Sequence, residues 1–112
     1  MDIRQITDDY AVSGQIAPDD IPAIKAAGYK SIISHRPDNE QPGQPTAAEI
    51  GRASQAAGLV FRHVPVVSGQ MTQDDVEKMA EALAEVPGPV FGYCRSGTRS
   101  TNIFMAAKQG EG

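Results

Sequence analysis

Two helix stops of the same design constrain this chain more than any other feature. Ala26-Ala27-Gly28 and Ala56-Ala57-Gly58 each close a helical pattern, and each is followed directly by a strand-forming run. Glycine after the last helical residue admits the left-handed backbone that ends a helix, so the chain is set to alternate helix with strand. The rest of the sequence obeys that alternation. Ala11-Val12-Ser13-Gly14-Gln15-Ile16 reads as a first strand, and Pro18-Asp19-Asp20 opens a helix with Ile21, Ile24 and Ala27 on one face. Ser31-Ile32-Ile33, within residues 30–34, is a short buried strand. Thr46-x-x-Glu49 is a capping box for the second helix. Leu59 to Val67 is the next strand, with Pro65 interrupting its pairing near the end. Thr72 caps a third helix that carries Asp74 and Asp75 in its first turn and Val76, Met79, Ala80 and Leu83 as its core stripe. Pro87-Gly88-Pro89 stops it. Val90-Phe91-Gly92-Tyr93 is the last strand, and a final helix runs from about Thr98 through Ala106.

This order predicts an α/β fold, a mainly parallel sheet of four to five strands flanked by helices on both faces. A length of 112 residues suits one domain over residues 1–112. In such folds ligands bind at the carboxyl ends of the strands, which is where Cys94 stands. The last residues, Lys108 to Gly112, predict a final helix shorter than in relatives, its missing cover absent or supplied by a partner chain.

Composition narrows the function. A net charge of −4 argues against nucleic-acid and anionic-membrane partners, and no apolar run approaches the roughly 20 residues of a bilayer span. The first residues lack the basic and apolar stretches of a secretory signal, and the single cysteine forms no internal disulfide. A cytoplasmic location is therefore expected. One Cys and two distant His, His35 and His63, supply no metal-ligand spacing, and no cofactor is called for.

Gly92-Tyr93-Cys94-Arg95-Ser96-Gly97-Thr98-Arg99-Ser100 carries the chemistry. It sets a thiol between a buried strand and a helix start, whose unpaired N–H groups face the centre of the loop. Those dipoles and the charge of Arg99 stabilise a thiolate. Gly97 lets the backbone curl, and Ser100 can donate to the sulfur or to a leaving group. Cys94 and Arg99 are the expected catalytic pair, with Arg95, Ser96, Gly97, Thr98 and Ser100 binding the anion. The plainer alternative, a small core cysteine at a strand end, does not account for five polar or flexible neighbours.

With Ser13-Gly14-Gln15 and His35-Arg36-Pro37-Asp38-x-Glu40, and the same order of elements, this loop makes nearly the whole chain resemble the phosphatase-like domain of the beta-lactamase-hydrolase-like proteins, also described as stand-alone sulfurtransferases. The resemblance implies a fold similar to dual-specificity phosphatases. It also implies a link to sulfide metabolism, with a persulfide dioxygenase as partner, because that family's domain is sometimes fused to one.

Loop length separates two chemistries. Tyrosine-phosphatase-like enzymes resemble His-Cys-x5-Arg-Ser, whereas four residues separate Cys94 from Arg99 and Tyr93 replaces the histidine. A phosphatase loop must supply donors to three non-bridging oxygens; a persulfide adds one sulfur. Cys-Arg-x-Gly-x-Arg also resembles rhodanese loops. The expectation is therefore sulfane-sulfur transfer through a Cys94 persulfide, from a small anionic donor (thiosulfate or a persulfide) to a thiol acceptor. The first alternative is phosphomonoester hydrolysis through a phosphocysteine; the second is a non-catalytic anion-binding or redox-sensing module.

The acids fit the same preference. Residues 67–70, where similar phosphatases carry the acid, contain no carboxylate. Asp74 and Asp75 read as helix-start charges. Asp38 is an accessory acid or a turn former, and Arg36 either adds positive potential or is a solvated surface arginine. His63 reads as structural, and His35 as adjacent to the pocket without a catalytic assignment.

Overall fold

A computed structural model describes residues 1–111. Among these are five strands, β1 (Arg4–Thr7), β2 (Tyr10–Ser13), β3 (Ser31–Ser34), β4 (Val60–His63) and β5 (Val90–Tyr93). Four α-helices accompany them, α1 (Ile21–Ala26), α2 (Ala47–Ala56), α3 (Gln73–Glu85) and α4 (Thr98–Glu111), with a 3-10 turn at Pro18–Asp20 leading into α1. The strands form one sheet in the order β1-β2-β5-β3-β4. β2, β5, β3 and β4 run parallel, and β1 pairs antiparallel with β2. The predicted α/β class and helix-flanked sheet are what the chain adopts.

Alternation within each strand explains the layering, because successive side chains leave opposite faces of the sheet. Ile33 of β3 points to the face covered by α3 and α4, where it meets Val12, Val90, Met79, Ala82, Ile103 and Phe104. Its neighbour Ile32 points the other way, into Phe91, Tyr93, Ile21, Ile24 and Ile50 under α1 and α2. Each such fully buried aliphatic side chain stabilises the fold by roughly 1.5–3 kcal/mol. Gly28 and Gly58 hold φ of +102° and +86°, as helix stops require. Thr46 and Thr72 both form their capping boxes, accepting from the N–H of Glu49 and of Asp75.

Four elements differ from the sequence reading. β1 was not foreseen, because Arg-Gln-Ile-Thr on an exposed edge offers no apolar alternation. β2 ends at Ser13 instead of reaching Ile16, since Gly14 and Gln15 leave the sheet and the Gln15 N–H donates to Arg95 O at 3.3 Å. β4 ends at His63 instead of Val67; beyond it the N–H groups of Val64 and Val66 still donate to Ser34 O and His35 O, but Pro65 between them has no N–H to give. The final helix is longer than expected, reaching Glu111, with Ile103, Phe104 and Ala107 buried against the sheet. Among the described residues no helix is long and apolar enough to cross a membrane.

β5 occupies the middle of the sheet, and Tyr10 lies across it. The Tyr10 ring stacks on Phe104 at 4.0 Å, and its hydroxyl donates to Ser100 O at 3.0 Å. A Cβ on Gly92 would collide with the Tyr10 hydroxyl and come within 2.9 Å of its ring. Gly92→Ala is therefore expected to lower the unfolding free energy by about 1–3 kcal/mol in denaturant titration.

Candidate active site

The junction from β5 to α4 is assembled from the ends of all four parallel strands. After Tyr93, the backbone of Cys94 leaves β5 with its N–H 3.5 Å from Ser13 O. The chain then turns through Gly97, at φ +95°, into α4. A side chain on Gly97 would be strained by that φ and would displace the Arg4 guanidinium. Arg4 Nη2 itself donates to Ser96 O at 2.8 Å, so β1 braces the loop from outside.

Cys94 is completely buried. The Gly97 N–H donates to its Sγ at 3.0 Å. Burial on its own would raise the thiol pKa, but the Ser100 N–H and hydroxyl and the N–H groups of Ser96 and Gly97 outweigh it, and the net shift is downward. The Ser100 hydroxyl is fully buried with no hydrogen-bond partner among the described residues, and its nearness to Cys94 acts to lower the thiol pKa. Ser96 and Thr98 bond to each other, Oγ to Oγ1, at 3.2 Å on the exposed lip. Arg95 is exposed there too, and with Ser68, Gly69, Ser96, Thr98, Arg99 and Asn102 it borders a depression of about 410 Å³.

Arg99 is fixed in place at the rim of the loop. Its Nη1 donates to Glu40 Oε2 at 2.7 Å and to Val66 O at 2.9 Å, and its Nη2 donates to Glu40 Oε1 at 2.8 Å. Glu40 also accepts from Arg36 Nε at 2.9 Å. Arg36 is only 3% exposed, its Nη1 donating to Gln15 Oε1 and its Nη2 to Gln41 Oε1, each at 3.0 Å. The Arg99 hydrogen bond, reinforced by Arg36, pulls the Glu40 carboxyl from its usual 4.5 to about 2, against the opposing effect of burial.

Residues Cys94 to Ser100 thus converge as anticipated. Two others do not take the roles considered for them. Asp38 accepts from the Ala47 N–H at 2.8 Å and so belongs to the start of α2. Arg36 is neither a solvated surface group nor a free source of positive potential, because Glu40 neutralises it inside the network. His35 is fully buried with Nδ1 3.0 Å from Val64 O, and burial lowers its pKa to about 4, so it is neutral and structural. His63 Nε2 lies 3.0 Å from Arg36 O. Asp75 Oδ2 accepts from the Thr72 N–H and Asp74 pairs with Lys78, so both acids serve α3.

The phosphatase-like domain pattern of the beta-lactamase hydrolase-like proteins matches residues 2–110. The chain belongs to that family. The beta-lactamase hydrolase-like proteins of Agrobacterium fabrum and of Xylella fastidiosa strain Temecula1 are each 35% identical over 108 residues, 96% of this chain. The chain spans a quarter of the length of these relatives. A crystal structure described as a candidate phosphatase from Neisseria meningitidis superimposes with a TM-score of 0.83 at 33% identity, over 91% of this chain and 72% of that one. The core catalytic domain of a PP-IP phosphatase from S. cerevisiae matches at a TM-score of 0.64 and 15% identity, over 96% and 74% of the two chains, a likeness of fold.

Within this phosphatase-like domain, Glu40 is the residue at the site whose pairing with Arg99 sequence reasoning missed. The spacing Arg36-x-x-x-Glu40 hinted at an ion pair, but in an irregular segment that spacing does not bring the side chains together, and nothing local to Glu40 points at Arg99, 59 positions away.

Two outcomes follow from the titrations. An ultraviolet thiolate titration should place Cys94 below the roughly 8.5 of a free cysteine, and Ser100→Ala should move it up. Because the folded-state pKa of Glu40 is depressed, its contribution to stability is complete above 4.5 and is lost as pH falls towards about 2. Denaturation midpoints followed through that window should therefore fall less steeply in Glu40→Gln than in the wild type.

Proposed function

We propose that this domain is a sulfurtransferase in which the Cys94 thiolate carries sulfane sulfur as a persulfide. The observation that supports it is the fit at the sulfur. With four residues between Cys94 and Arg99, the Gly97 N–H already sits 3.0 Å from Sγ. A ring drawn that closely suits one added atom better than a tetrahedral group. The loop opposite, at Ser68 and Gly69, brings no carboxylic acid to the depression, and sulfur transfer needs none because sulfite or a thiolate leaves unaided.

The atoms balance as follows. The thiolate attacks the outer sulfur of thiosulfate, the S–S bond breaks, and sulfite departs with the electron pair. An acceptor thiolate or cyanide then attacks the outer sulfur of the Cys94 persulfide, and the Cys94 thiolate leaves. The chain has no second cysteine to resolve the persulfide, so the acceptor comes from outside. A thiol acceptor would leave as a persulfide, the substrate class of a persulfide dioxygenase.

A second reading is favoured by the comparisons, which lean towards phosphate chemistry. The family is described as phosphatase-like, and the Neisseria structure is described as a candidate phosphatase. In that reading the Cys94 thiolate attacks phosphorus, the ester P–O bond breaks and the alkoxide leaves, taking a proton from water; a second water then cleaves the phosphocysteine P–S bond, releasing phosphate and the thiolate.

One paired assay separates the two. Wild type and Cys94→Ser are given thiosulfate with cyanide, and separately p-nitrophenyl phosphate. Thiocyanate should form with the wild type and fall by on the order of a thousandfold in Cys94→Ser, while nitrophenol release stays near background. Cys94-dependent nitrophenol release without thiocyanate would replace sulfur transfer with the phosphatase reading.

A further inference from the structure

Arg4 lies 92 positions from Ser96, yet its Nη2 donates to the Ser96 carbonyl oxygen at 2.8 Å. At the other end of the same peptide unit, the Gly97 N–H donates to Cys94 Sγ at 3.0 Å. A peptide bond is planar and trans, so its C=O and N–H point in opposite directions. A group that holds the oxygen outward therefore holds the hydrogen inward, on the sulfur. The donor to that oxygen also carries a full positive charge. It draws electron density along the amide and makes the N–H a stronger donor.

This peptide unit is free to turn unless something holds it. Gly97 sits at φ +95°, and glycine accepts either sign of φ with little difference in energy. Half a turn of the Ser96–Gly97 peptide would leave Gly97 in an allowed region and present the carbonyl oxygen to the sulfur. A thiolate would then face a partial negative charge in place of a donor, and its ionised form would be disfavoured. Gly97 also gives Arg4 its seat. A Cβ there would meet the guanidinium, so the missing side chain is what lets the arginine reach the carbonyl.

We propose that Arg4 is a positioning residue for Cys94: from the edge strand β1 it holds the Ser96 carbonyl outward and thereby keeps the Gly97 N–H of the same peptide on the sulfur. Arg4 does not touch the reacting atoms, and it acts in the same way whether Cys94 attacks sulfur or phosphorus. Its side chain is exposed, so solvent screens its charge at longer range, and its effect reaches the sulfur through the peptide.

The test reads the sulfur and the amide directly. Arg4→Met keeps the length of the side chain and removes its donors and charge. In that variant the ultraviolet titration of Cys94 should move up by about half a unit to one unit. Amide exchange of Gly97, followed by NMR, should quicken by about tenfold, the loss of one hydrogen bond. Arg4→Lys, which restores the charge and a donor, should recover roughly half or more of both changes. Arg99 and Tyr10, ionisable groups that also interact with the sulfur, are unaltered in these variants. Ile6→Ala controls for a general loosening of β1. Ile6 packs against the core from the same strand, so this variant should lose thermal stability and leave the Cys94 titration where it was. Wild-type behaviour of Cys94 and Gly97 in Arg4→Met overturns the inference, as does a shift in Ile6→Ala as large as in Arg4→Met. A lysine that recovers nothing overturns it too. None of these readouts requires turnover, so they stand apart from the outcome with thiosulfate or p-nitrophenyl phosphate.

Discussion

The donors gathered on the buried sulfur of Cys94, which lower its pKa, are the constraint around which the rest of the structure is arranged. Removing a thiolate from water is costly, so Cys94 stays ionised only if donors are held on it without relaxing. They come from the first turn of α4 and the loop before it, and their positions are set by packing far from the sulfur. β5 is wedged between β2 and β3. α4 is pressed onto the sheet by Ile103, Phe104 and Ala107. Tyr10 ties the two together, stacking on Phe104 while its hydroxyl holds the Ser100 carbonyl. Close-packed interiors do not deform by small amounts without cost, so the core fixes the distance between sulfur and amides.

Outward from the sulfur, charges alternate in sign: the Cys94 thiolate, Arg99, Glu40, then Arg36. Each group faces an opposite charge, and the two arginines are largely withdrawn from solvent, at 12% and 3% exposure. In such surroundings an ion pair is worth having only when its remaining hydrogen bonds are also made. Gln15, Gln41 and the Val66 carbonyl make them. The chain of charges thereby stitches the carboxyl ends of β2, β3, β4 and β5 into one rigid rim. Rigidity there fixes where the remaining Arg99 donors point.

The family resemblance and the loop length bear on different levels of the structure. Fold likeness to phosphatases, strong at 33% identity in one neighbour and confined to topology at 15% in another, describes the sheet and the placement of a cysteine at its edge. Chemistry is decided by which groups surround that cysteine. The loop length and the side chains on its rim can differ without disturbing a single strand.

Local signals were enough for much of this. Gly28 and Gly58 marked helix ends, Thr46 and Thr72 marked helix starts, and the alternation they framed required a parallel sheet with Cys94 at its carboxyl edge. The run from Cys94 to Ser100 declared a thiol among backbone donors, because neighbours in sequence are neighbours in a turn. β1 was hidden because an exposed polar edge strand has no pattern to read, and the roles of Asp38, Arg36 and Glu40 were hidden because all three lie in an irregular segment. The order of elements and the amide-lined turn around Cys94 were readable from the chain alone, because both depend on residues a few positions apart. That Glu40 meets Arg99 while Asp38 turns to α2 emerges in the folded molecule alone, because the path of a loop between β3 and α2 is set by what the finished sheet and helices leave for it to pair with.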